Sequence, residues 1–162
     1  MEDHGSPALR KLLAAFPDAV RGTHAHLGDA TVVVDPERVD DVLRSLRDDP
    51  ELAFEMLTDL CCVDFLGEEP RFEVVYHLYS VAKNHRVRVK ARVSEASPEL
   101  PSAVALWASA NWMEREVWDL YGVRFRGHPD LRRILLYDEF DGHPLRKDYP
   151  KERRQPLVGP RN

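Results

Sequence analysis

This sequence lacks a hydrophobic run long enough to cross a membrane. Its longest uncharged stretch, residues 100–113, has 14 residues and is interrupted by Pro101, whereas a membrane-spanning helix needs about 20 apolar residues. Residues 1–7 contain neither a basic region nor an apolar run, so they do not have the pattern of a secretory signal or a transit peptide. We therefore expect a protein that stays in the cytoplasm and has no transmembrane segment.

Cysteine is scarce, and its placement excludes two further classes of protein. The two cysteines, Cys61 and Cys62, are adjacent in the sequence. One adjacent pair cannot supply the ligands of an iron–sulfur cluster and cannot link distant parts of a fold. We interpret both residues as small apolar side chains of a buried strand.

The sequence also lacks the motifs that mark common active sites. It has no glycine-rich phosphate loop, no nucleophile elbow, no zinc-spaced Cys/His set and no dinucleotide fingerprint. We therefore predict no catalytic residue, no bound cofactor and no metal ligand in this chain. His24 and His26 lie two residues apart without a third ligand nearby, which favours a solvated strand face over a metal site.

What is present is enough apolar material for one domain, because 43% of the 162 residues are hydrophobic. Apolar periodicity and turn residues predict a helix, two strands, a helix, a strand, a hairpin and a further helix. In residue numbers, these elements are 8–16, 22–27, 30–34, 36–47, 57–65, 72–79 paired with 86–93, and 111–122. The predicted fold class is α+β, a two-layer domain with one mixed β-sheet covered by helices, followed by an extended C-terminal arm.

The last predicted helix has the signals of a regular start and stop. Asn111 is the predicted N-cap with Glu114 as its capping-box partner, and Gly122 ends the helix. Glu114, Glu116 and Asp119 are expected to place negative charge in the early turns, where the helix dipole favours it.

Charge divides the chain into two parts. Residues 1–125 carry 14 basic and 22 acidic side chains, a net charge of −8, whereas residues 126–162 carry 9 and 6, a net charge of +3. We predict a globular domain over 1–125 and a basic docking arm over 126–162, called the C-terminal arm below. A charge of +3 is small for binding nucleic acid or anionic lipid, so the sequence favours an acidic protein groove as the partner.

One predicted strand carries a basic face, formed by Arg86, Arg88, Lys90 and Arg92. A nucleic-acid-binding module would use such a stripe. However, Glu73 and His77 lie on the neighbouring strand opposite these cations, and the sequence pI is 5.8. A solvated sheet face, or an interface for an acidic neighbour, is the favoured interpretation, and we expect no nucleic-acid partner.

Residues 114–150 contain many large apolar and basic side chains without helical or strand periodicity. The triplet Gly-His-Pro occurs at 127–129 and again at 142–144, and each is soon followed by Leu-Arg. Two interpretations stay open for the histidines and carboxylates here. They could form a metal or hydrolase centre, or the triplets could be bends, each held by a histidine hydrogen bond, from which Arg132, Arg133 and Arg146 reach carboxylates on a neighbour. The residues of the metal hypothesis are His128, Asp130, Asp138, Glu139, Asp141 and His143.

Two blocks in this region resemble a known family. The first is Glu-Arg-Glu-Val-Trp-Asp-Leu-Tyr-Gly at 114–122, followed after six residues by His128, Arg132, Ile134 and Leu135. The second is Gly-His-Pro-Leu-Arg-Lys-Asp-Tyr-Pro at 142–150. Their order and spacing resemble the 30 kDa subunit family of respiratory-chain NADH dehydrogenase, which includes the C subunit of bacterial NADH-quinone oxidoreductase (complex I). The resemblance covers residues 111–150 most closely.

The resemblance implies a particular set of signature and partner-docking residues. They are Glu114, Arg115, Glu116, Asp119, Tyr121, Gly122, His128, Pro129, Arg132, Arg133, Gly142, His143, Pro144, Arg146, Lys147, Asp148, Tyr149 and Pro150.

The resemblance also implies a function for the chain. It would be a non-redox peripheral-arm subunit of the proton-translocating complex, docked on the 49 kDa-type quinone-reducing subunit. The complex passes electrons from NADH through FMN and iron–sulfur clusters to quinone, so the enzymatic activity would belong to the complex. The location implied is peripheral, on the cytoplasmic side of the bacterial inner membrane, with membrane contact only through the complex. Equivalent subunits occur in membrane-bound nickel–iron hydrogenases and deazaflavin-dependent dehydrogenases, which remain alternatives, as does an independent metal-dependent enzyme.

Overall fold

The computed structural model describes residues 1–156, so the last six residues of the predicted C-terminal arm lie outside the described part. Three helices and seven strands follow one another within these described residues. They are α1 (Pro7–Ala15), β1 (Val20–His24), β2 (Thr31–Val34), α2 (Val39–Asp48), β3 (Met56–Asp64), β4 (Phe72–Ser80), β5 (His85–Val93), β6 (Glu99–Pro101), α3 (Ala110–Tyr121) and β7 (Arg124–Arg126).

Five of the strands form one mixed sheet in the order β1-β2-β5-β4-β3. All neighbouring pairs are antiparallel except β2 and β5, which are parallel. Strands β2 and β3 therefore run in the same direction although they lie on opposite sides of the β5–β4 pair. The connection between them contains α2, which crosses one face of the sheet as a parallel connection requires. The α+β class with a mixed sheet is confirmed.

The long hairpin of β4 and β5 forms where apolar residues alternate with polar ones. Phe72, Val74, Tyr76 and Leu78 of β4, together with Val87, Val89, Ala91 and Val93 of β5, are buried on one face. Leucines and valines of α1, α2 and α3 join the same apolar cluster. Burying each such side chain contributes roughly 1.5–3 kcal/mol, so this single core of sheet and helices is the main source of stability.

Local capping explains where α1 and the turn before α2 begin. The Ser6 hydroxyl accepts a hydrogen bond from the Leu9 N–H, and Pro7 occupies the first helical turn of α1. The predicted cap at Asp35 is present, but it begins a 3-10 turn (Pro36–Arg38) that leads into α2. The apolar stripe of α2, Val39, Val42, Leu43 and Leu46, is buried as its spacing predicts.

Two predicted boundaries are wrong. Strand β1 ends at His24, because a 3-10 turn (His26–Gly28) follows in which Leu27 has a positive φ of 56°; His26 therefore lies outside the strand. Helix α3 begins at Ala110, and its N-cap position is Ser109, which makes no side-chain capping bond. The predicted capping box of Asn111 and Glu114 does not form, because the Glu114 carboxylate binds groups outside the helix.

A second, two-stranded sheet was not predicted. β6 and β7 pair in parallel, with Leu100 opposite Phe125. Both of these side chains are buried in the core. The boundary that the sequence analysis placed after Phe125 therefore falls inside β7. Over residues 127–156 the chain forms turns and bends, without a helix or strand. None of the helices in the described part of the chain is long and apolar enough to span a membrane.

Candidate partner interface

Asp119, in the last turn of α3, holds the start of the C-terminal arm against the domain. Its side chain is fully buried. One carboxylate oxygen accepts a hydrogen bond from Arg133 Nη1 at 2.6 Å. The other accepts three backbone N–H groups, those of Ile134, Leu135 and Leu136, at 3.1, 2.9 and 2.9 Å. The carboxylate thus fixes the backbone of residues 133–136, which has no strand or helix to satisfy its donors.

The charge of Asp119 is maintained by these donors. Burial by itself would raise the pKa of Asp119, but the N–H donors of residues 134–136 and the Arg133 guanidinium outweigh it and hold the pKa below its ordinary value. The residue lies near the C-terminus of α3, where the helix dipole disfavours an anion. The expectation that Asp119 occupies an early turn is therefore wrong, and the C-terminal arm provides the compensation instead of the dipole.

The two Gly-His-Pro triplets are bends held by histidine hydrogen bonds. His143 Nδ1 bonds the Asp119 carbonyl oxygen at 2.9 Å, and His128 Nε2 bonds the Asn111 carbonyl oxygen at 3.0 Å. The Asp130 N–H donates to the second ring nitrogen of His128. This confirms that the histidines hold the bends. The six residues of the metal hypothesis do not gather into a metal-spaced group within residues 1–156.

Gly122 is required where α3 ends because the C-terminal arm passes directly over it. It adopts the left-handed conformation with φ of 79°, and its N–H donates to the Trp118 carbonyl. A Cβ at this position would lie 2.6 Å from Arg146 Nη2 and 2.7 Å from the His143 ring. Any side chain here would therefore displace the second triplet from the helix end.

An ion-pair network centred on the buried Arg71 side chain holds the distal part of the C-terminal arm. Arg71, at the start of β4, is 2% exposed and donates two hydrogen bonds of 2.8 Å to Asp64 at the end of β3. Its guanidinium also binds Asp148 at 2.7 Å and Glu95 at 2.6 Å. The Lys147 N–H donates to Asp64 at 2.7 Å. The pKa of Asp64 is lowered, chiefly by its hydrogen bonds from Arg71.

The predicted outward-reaching arginines differ in their roles. Arg133 donates to Asp119 and to the carbonyls of Phe140 and Gly142. Arg146 donates to the Tyr121 carbonyl. The three bonds of Arg133 commit its guanidinium to the chain itself, which corrects the expectation that it reaches a neighbour's carboxylates. Arg146 commits its Nε–H in this way, and docking through its other donors stays a prediction. Arg132 is exposed and pairs with Asp130 across 2.8 Å.

Glu114 joins α3 to the segment before it. Its fully buried carboxylate accepts hydrogen bonds from the Ser102 hydroxyl at 2.7 Å and the Ala103 N–H at 2.6 Å. Burial raises the pKa of Glu114 to about 7, although both hydrogen bonds act in the opposite direction. The next residue, Arg115, donates to the carbonyls of Arg132 and Arg133.

The remaining signature residues differ in exposure. Tyr149 is half-buried, stacks on Phe140 and accepts a hydrogen bond from the Gln155 amide. Pro144 is also half-buried. The exposed signature residues are Glu116, Pro129, Arg132, Lys147, Asp148 and Pro150.

The basic face of β5 is neutralised within the chain. Arg88 pairs with Asp29, Lys90 with Glu73 and Arg92 with Glu68. Arg86 stacks over the ring of Tyr79 at 4.6 Å. The acidic neighbours of this face thus come from the protein itself, and no continuous cationic stripe is left on the described strand for nucleic acid.

An exposed apolar surface that the sequence analysis missed borders the C-terminal arm. Trp112 in the first turn of α3 is 71% exposed, and Leu135 of the C-terminal arm is 62% exposed. They line one shallow groove with Met113, Ile134, Glu116 and the small residues 108–109. We call the four large apolar side chains the Trp112 groove. In the sequence, the only indication of the Trp112 groove was a tryptophan beside polar residues of the predicted helix. Folding brings residues 134–135 next to Trp112.

Arg71 and Asp64 were also missed by the sequence analysis. Each is a single charge at the end of an apolar strand, a position that reads as ordinary strand termination. Their pairing follows from the β3–β4 register, which places Asp64 opposite Phe72.

Known proteins resemble this chain over most of its length. The family model described as respiratory-chain NADH dehydrogenase, 30 Kd subunit, matches residues 32–155. The C subunit of the NADH-quinone oxidoreductase of Roseiflexus castenholzii is 55% identical over 142 residues, which cover 88% of this chain and 82% of that one. The protein of the same name from Citrifermentans bemidjiense is 47% identical over 154 residues, which cover 94% of each chain.

Two solved structures share the fold. The trypsin-resistant fragment (1-134) of Nqo5 is 35% identical and superposes with a TM-score of 0.67, covering 75% of this chain and 97% of the fragment. A chain of the archaeal membrane-bound sulfane sulfur reductase complex is 23% identical, with a TM-score of 0.73 and coverages of 89% and 84%; this likeness concerns the fold alone. The expectation that FMN and iron–sulfur clusters belong to other subunits fits the family. With two signature blocks held around Asp119 and a family match across residues 32–155, the chain belongs to the respiratory-chain NADH dehydrogenase 30 kDa subunit family, whose relatives here are C subunits of NADH-quinone oxidoreductase.

Proposed function

We propose that this chain is a non-redox peripheral-arm subunit that docks on the 49 kDa-type quinone-reducing subunit of complex I. The observation that carries the proposal is the Trp112 groove, where the domain and the C-terminal arm together expose large apolar side chains. An exposed tryptophan that shares a groove with other large apolar side chains is typical of a protein-binding surface, because tryptophan is among the residues that contribute most to an interface's binding energy.

The C-terminal arm is held in a defined conformation by contacts within the chain, which supports docking through a preformed surface. The buried ion pairs of Asp119 and Arg71 fix residues 133–136 and 147–148 before any partner is present. A preordered segment loses less conformational entropy on binding than a flexible one. Leu135 is therefore held next to Trp112 by contacts on its own backbone.

Charge supports an acidic partner surface opposite the distal part of the C-terminal arm. Within residues 1–156, the exposed side chains of Lys147, Lys151 and Arg154 make no ion pair. Cations of this kind at an interface steer a partner of opposite charge and increase the association rate. Residues 126–162 thus act as a docking arm, as the charge split of the sequence predicts.

In this proposal the chemistry takes place in other subunits. The acidic and basic side chains with the greatest burial, Glu114, Asp119, Asp64 and Arg71, all bind groups of the chain itself. The chain would contribute position rather than catalysis, on the cytoplasmic side of the inner membrane and without direct membrane contact.

Co-purification with surface variants tests the docking step. A chain ending at Phe125 would remove the donors of Asp119 and the Asp148 partner of Arg71, so truncation would confuse docking with folding. We instead expect Leu135→Asp and Trp112→Ala to abolish co-purification of the 49 kDa-type subunit when the two proteins are co-expressed. The matched control is Val81→Asp on the β4–β5 turn, since Val81 is also an exposed apolar residue, at 55%.

The result that would contradict docking through the Trp112 groove is full recovery of the 49 kDa-type subunit with both groove variants. Equal loss with Val81→Asp would show that the assay reports general destabilisation. Thermal unfolding of the three variants separates these outcomes, because surface substitutions of this kind change stability by about 0.5 kcal/mol or less.

The electron donor of the complex needs a separate measurement, because the same fold occurs in the sulfane sulfur reductase complex. We expect the assembly that co-purifies with this chain to reduce quinone with NADH. An assembly that is inactive with NADH but active with hydrogen or reduced deazaflavin would favour the related hydrogenase or deazaflavin-dependent complex.

A further inference from the structure

Three side chains with metal-ligating atoms meet on the face of the sheet opposite the core. They are Asp59 and Cys61 of β3 and His77 of β4. The carboxylate oxygen, the sulfur and one ring nitrogen all lie within 4.8 Å of one another. It is the one group of three such side chains in the described part of the chain. Neither of the Gly-His-Pro histidines belongs to it.

The strand register and a β-bulge bring the three groups together. A register shift lies between Leu57 and Asp59. In a regular strand these two residues would share a face, so Asp59 would point into the core with Leu57. The bulge moves Asp59 to the outer face, where it shares a side with Cys61 and lies opposite His77. Bulges of this kind commonly redirect a side chain at a functional site.

The ligand atoms are also uncommitted. Within residues 1–156, the His77 ring, the Cys61 sulfur and the Asp59 carboxylate form no hydrogen bond or ion pair with the protein. The histidines of the two bends differ in this respect, because both bond backbone carbonyls. Polar side chains that lie together on the surface and bind no other protein group are available to bind a ligand.

We propose that Asp59, Cys61 and His77 bind a borderline-soft divalent transition-metal ion, with Zn²⁺ as the best match. Thiolate, imidazole and carboxylate are the three protein ligands that zinc uses, and a water molecule completes its tetrahedral coordination. Zinc–ligand distances of about 2.0–2.3 Å place ligand atoms about 3.5 Å apart. The three ligand atoms, which lie within 4.8 Å of one another, therefore have to approach by at most about 1.3 Å on binding.

The surrounding charges permit a cation. Arg88 and Lys90 on β5 are positive neighbours of Cys61 and His77, but they are paired with Asp29 and Glu73 at 3.2 and 2.8 Å. Arg86 lines the cleft beside Asp59 and His77 and stacks over the Tyr79 ring. Glu116 of α3 lines the same cleft as Asp59 and Cys61, and its carboxylate adds negative charge. The ion would link the edge strand β3 to β4. This proposal concerns the sheet and is independent of docking by the C-terminal arm.

Titration of the purified full-length chain with Zn²⁺ tests the site. Isothermal calorimetry should show one equivalent bound, and Co²⁺ in its place should give the visible absorption of a tetrahedral thiolate complex. Asp59→Asn, Cys61→Ser and His77→Gln should each weaken binding by at least the roughly 10- to 100-fold that loss of a second-shell partner costs. Cys62→Ala is the matched control, because this neighbouring cysteine faces the core and should leave binding unchanged.

Two results would overturn the proposal. One is a wild-type chain that binds no Zn²⁺. The other is binding of equal strength in the wild type and the three ligand variants, which would locate the ion at other histidines. If Cys61→Ser does not fold, as circular dichroism would show, Asp59→Asn and His77→Gln decide the question, because Asp59 is exposed and its amide analogue keeps the shape.

Discussion

Replacing Asp119 with asparagine should release the start of the C-terminal arm while leaving the sheet folded. Asparagine has the same shape but carries no charge, and only one of its two terminal atoms accepts hydrogen bonds. If the amide oxygen faces the N–H groups of residues 134–136, the amide nitrogen faces Arg133. If the amide is reversed, two donors meet at residues 134–136. Either orientation leaves at least one buried donor without an acceptor.

The size of the effect follows from the burial of Asp119. Breaking a buried ion pair by removing one partner typically costs about 3–5 kcal/mol. The Arg133 side chain is 12% exposed, so water can satisfy part of its guanidinium and the lower end of that range applies. We expect the free energy of unfolding to fall by about 3 kcal/mol. A domain of this size has about 5–15 kcal/mol in total, so the core should remain folded.

Urea unfolding and amide hydrogen exchange measure the two parts of this prediction. The free energy of unfolding should fall as stated, and the amides of residues 134–136 should lose more protection than those of β4 and β5. The control is Glu116→Gln on the same helix, because Glu116 is exposed and its substitution should change stability by about 0.5 kcal/mol or less. A loss below 1 kcal/mol in Asp119→Asn, with unchanged exchange at residues 134–136, would refute the reasoning.

Three further experiments test other parts of the structure. Because burial raises the pKa of Glu114 from 4.5 to about 7, the protonated side chain contributes its full stability below pH 4.5, and this contribution is lost as the pH rises through about 7. In urea unfolding, the free energy of unfolding of the wild type should therefore fall by about 2–3 kcal/mol between pH 5 and pH 8, and Glu114→Gln should lack this fall. Parallel pH profiles of the two proteins would disprove the prediction. Gly122→Ala should lower the melting temperature more than Gly28→Ala. Both glycines have a positive φ, but of these two only Gly122 has the C-terminal arm where a Cβ would lie. Equal shifts of the melting temperature would argue against that contact. In urea unfolding, Arg71→Met should lower the free energy of unfolding by about 3–5 kcal/mol, because it leaves the buried carboxylate of Asp64 without its ion-pair partner. Asp148→Asn removes a half-exposed partner of Arg71 and should lower it by about 1 kcal/mol or less. Similar decreases for the two variants would contradict this ranking.

Much of the fold could be predicted from local pattern. Large apolar residues at every second position, Phe72, Val74 and Tyr76, identified β4, and the same spacing identified β5. Helix α2 was predicted from the apolar stripe that begins at Val39. These signals succeed because side-chain direction repeats every two residues in a strand and every 3.6 in a helix, so neighbours in the sequence report which face is buried.

The predictions that were wrong depend on groups far apart in the sequence. The Glu114 carboxylate has the spacing of a capping box with Asn111, but it instead binds Ser102 and Ala103, which folding brings closer. Arg133 and Arg146 look like outward-facing groups in the sequence, yet both donate to residues near the end of α3. Spacing along the chain does not show which of two acceptors is nearer in space.

The sequence by itself determined the family, the α+β class and the order of the main elements, because signature spacing and apolar periodicity are properties of adjacent residues. Only the tertiary structure decided what the signature residues contact. The carboxylate of Asp119, which the sequence showed as one more helix acid, binds the backbone of the C-terminal arm. Likewise, Trp112 meets Leu135, and Asp59 meets His77, only after α3 and the strands have packed. Hydrogen bonds and ligand sites require atoms within a few ångströms of one another, and that proximity is a property of the folded chain.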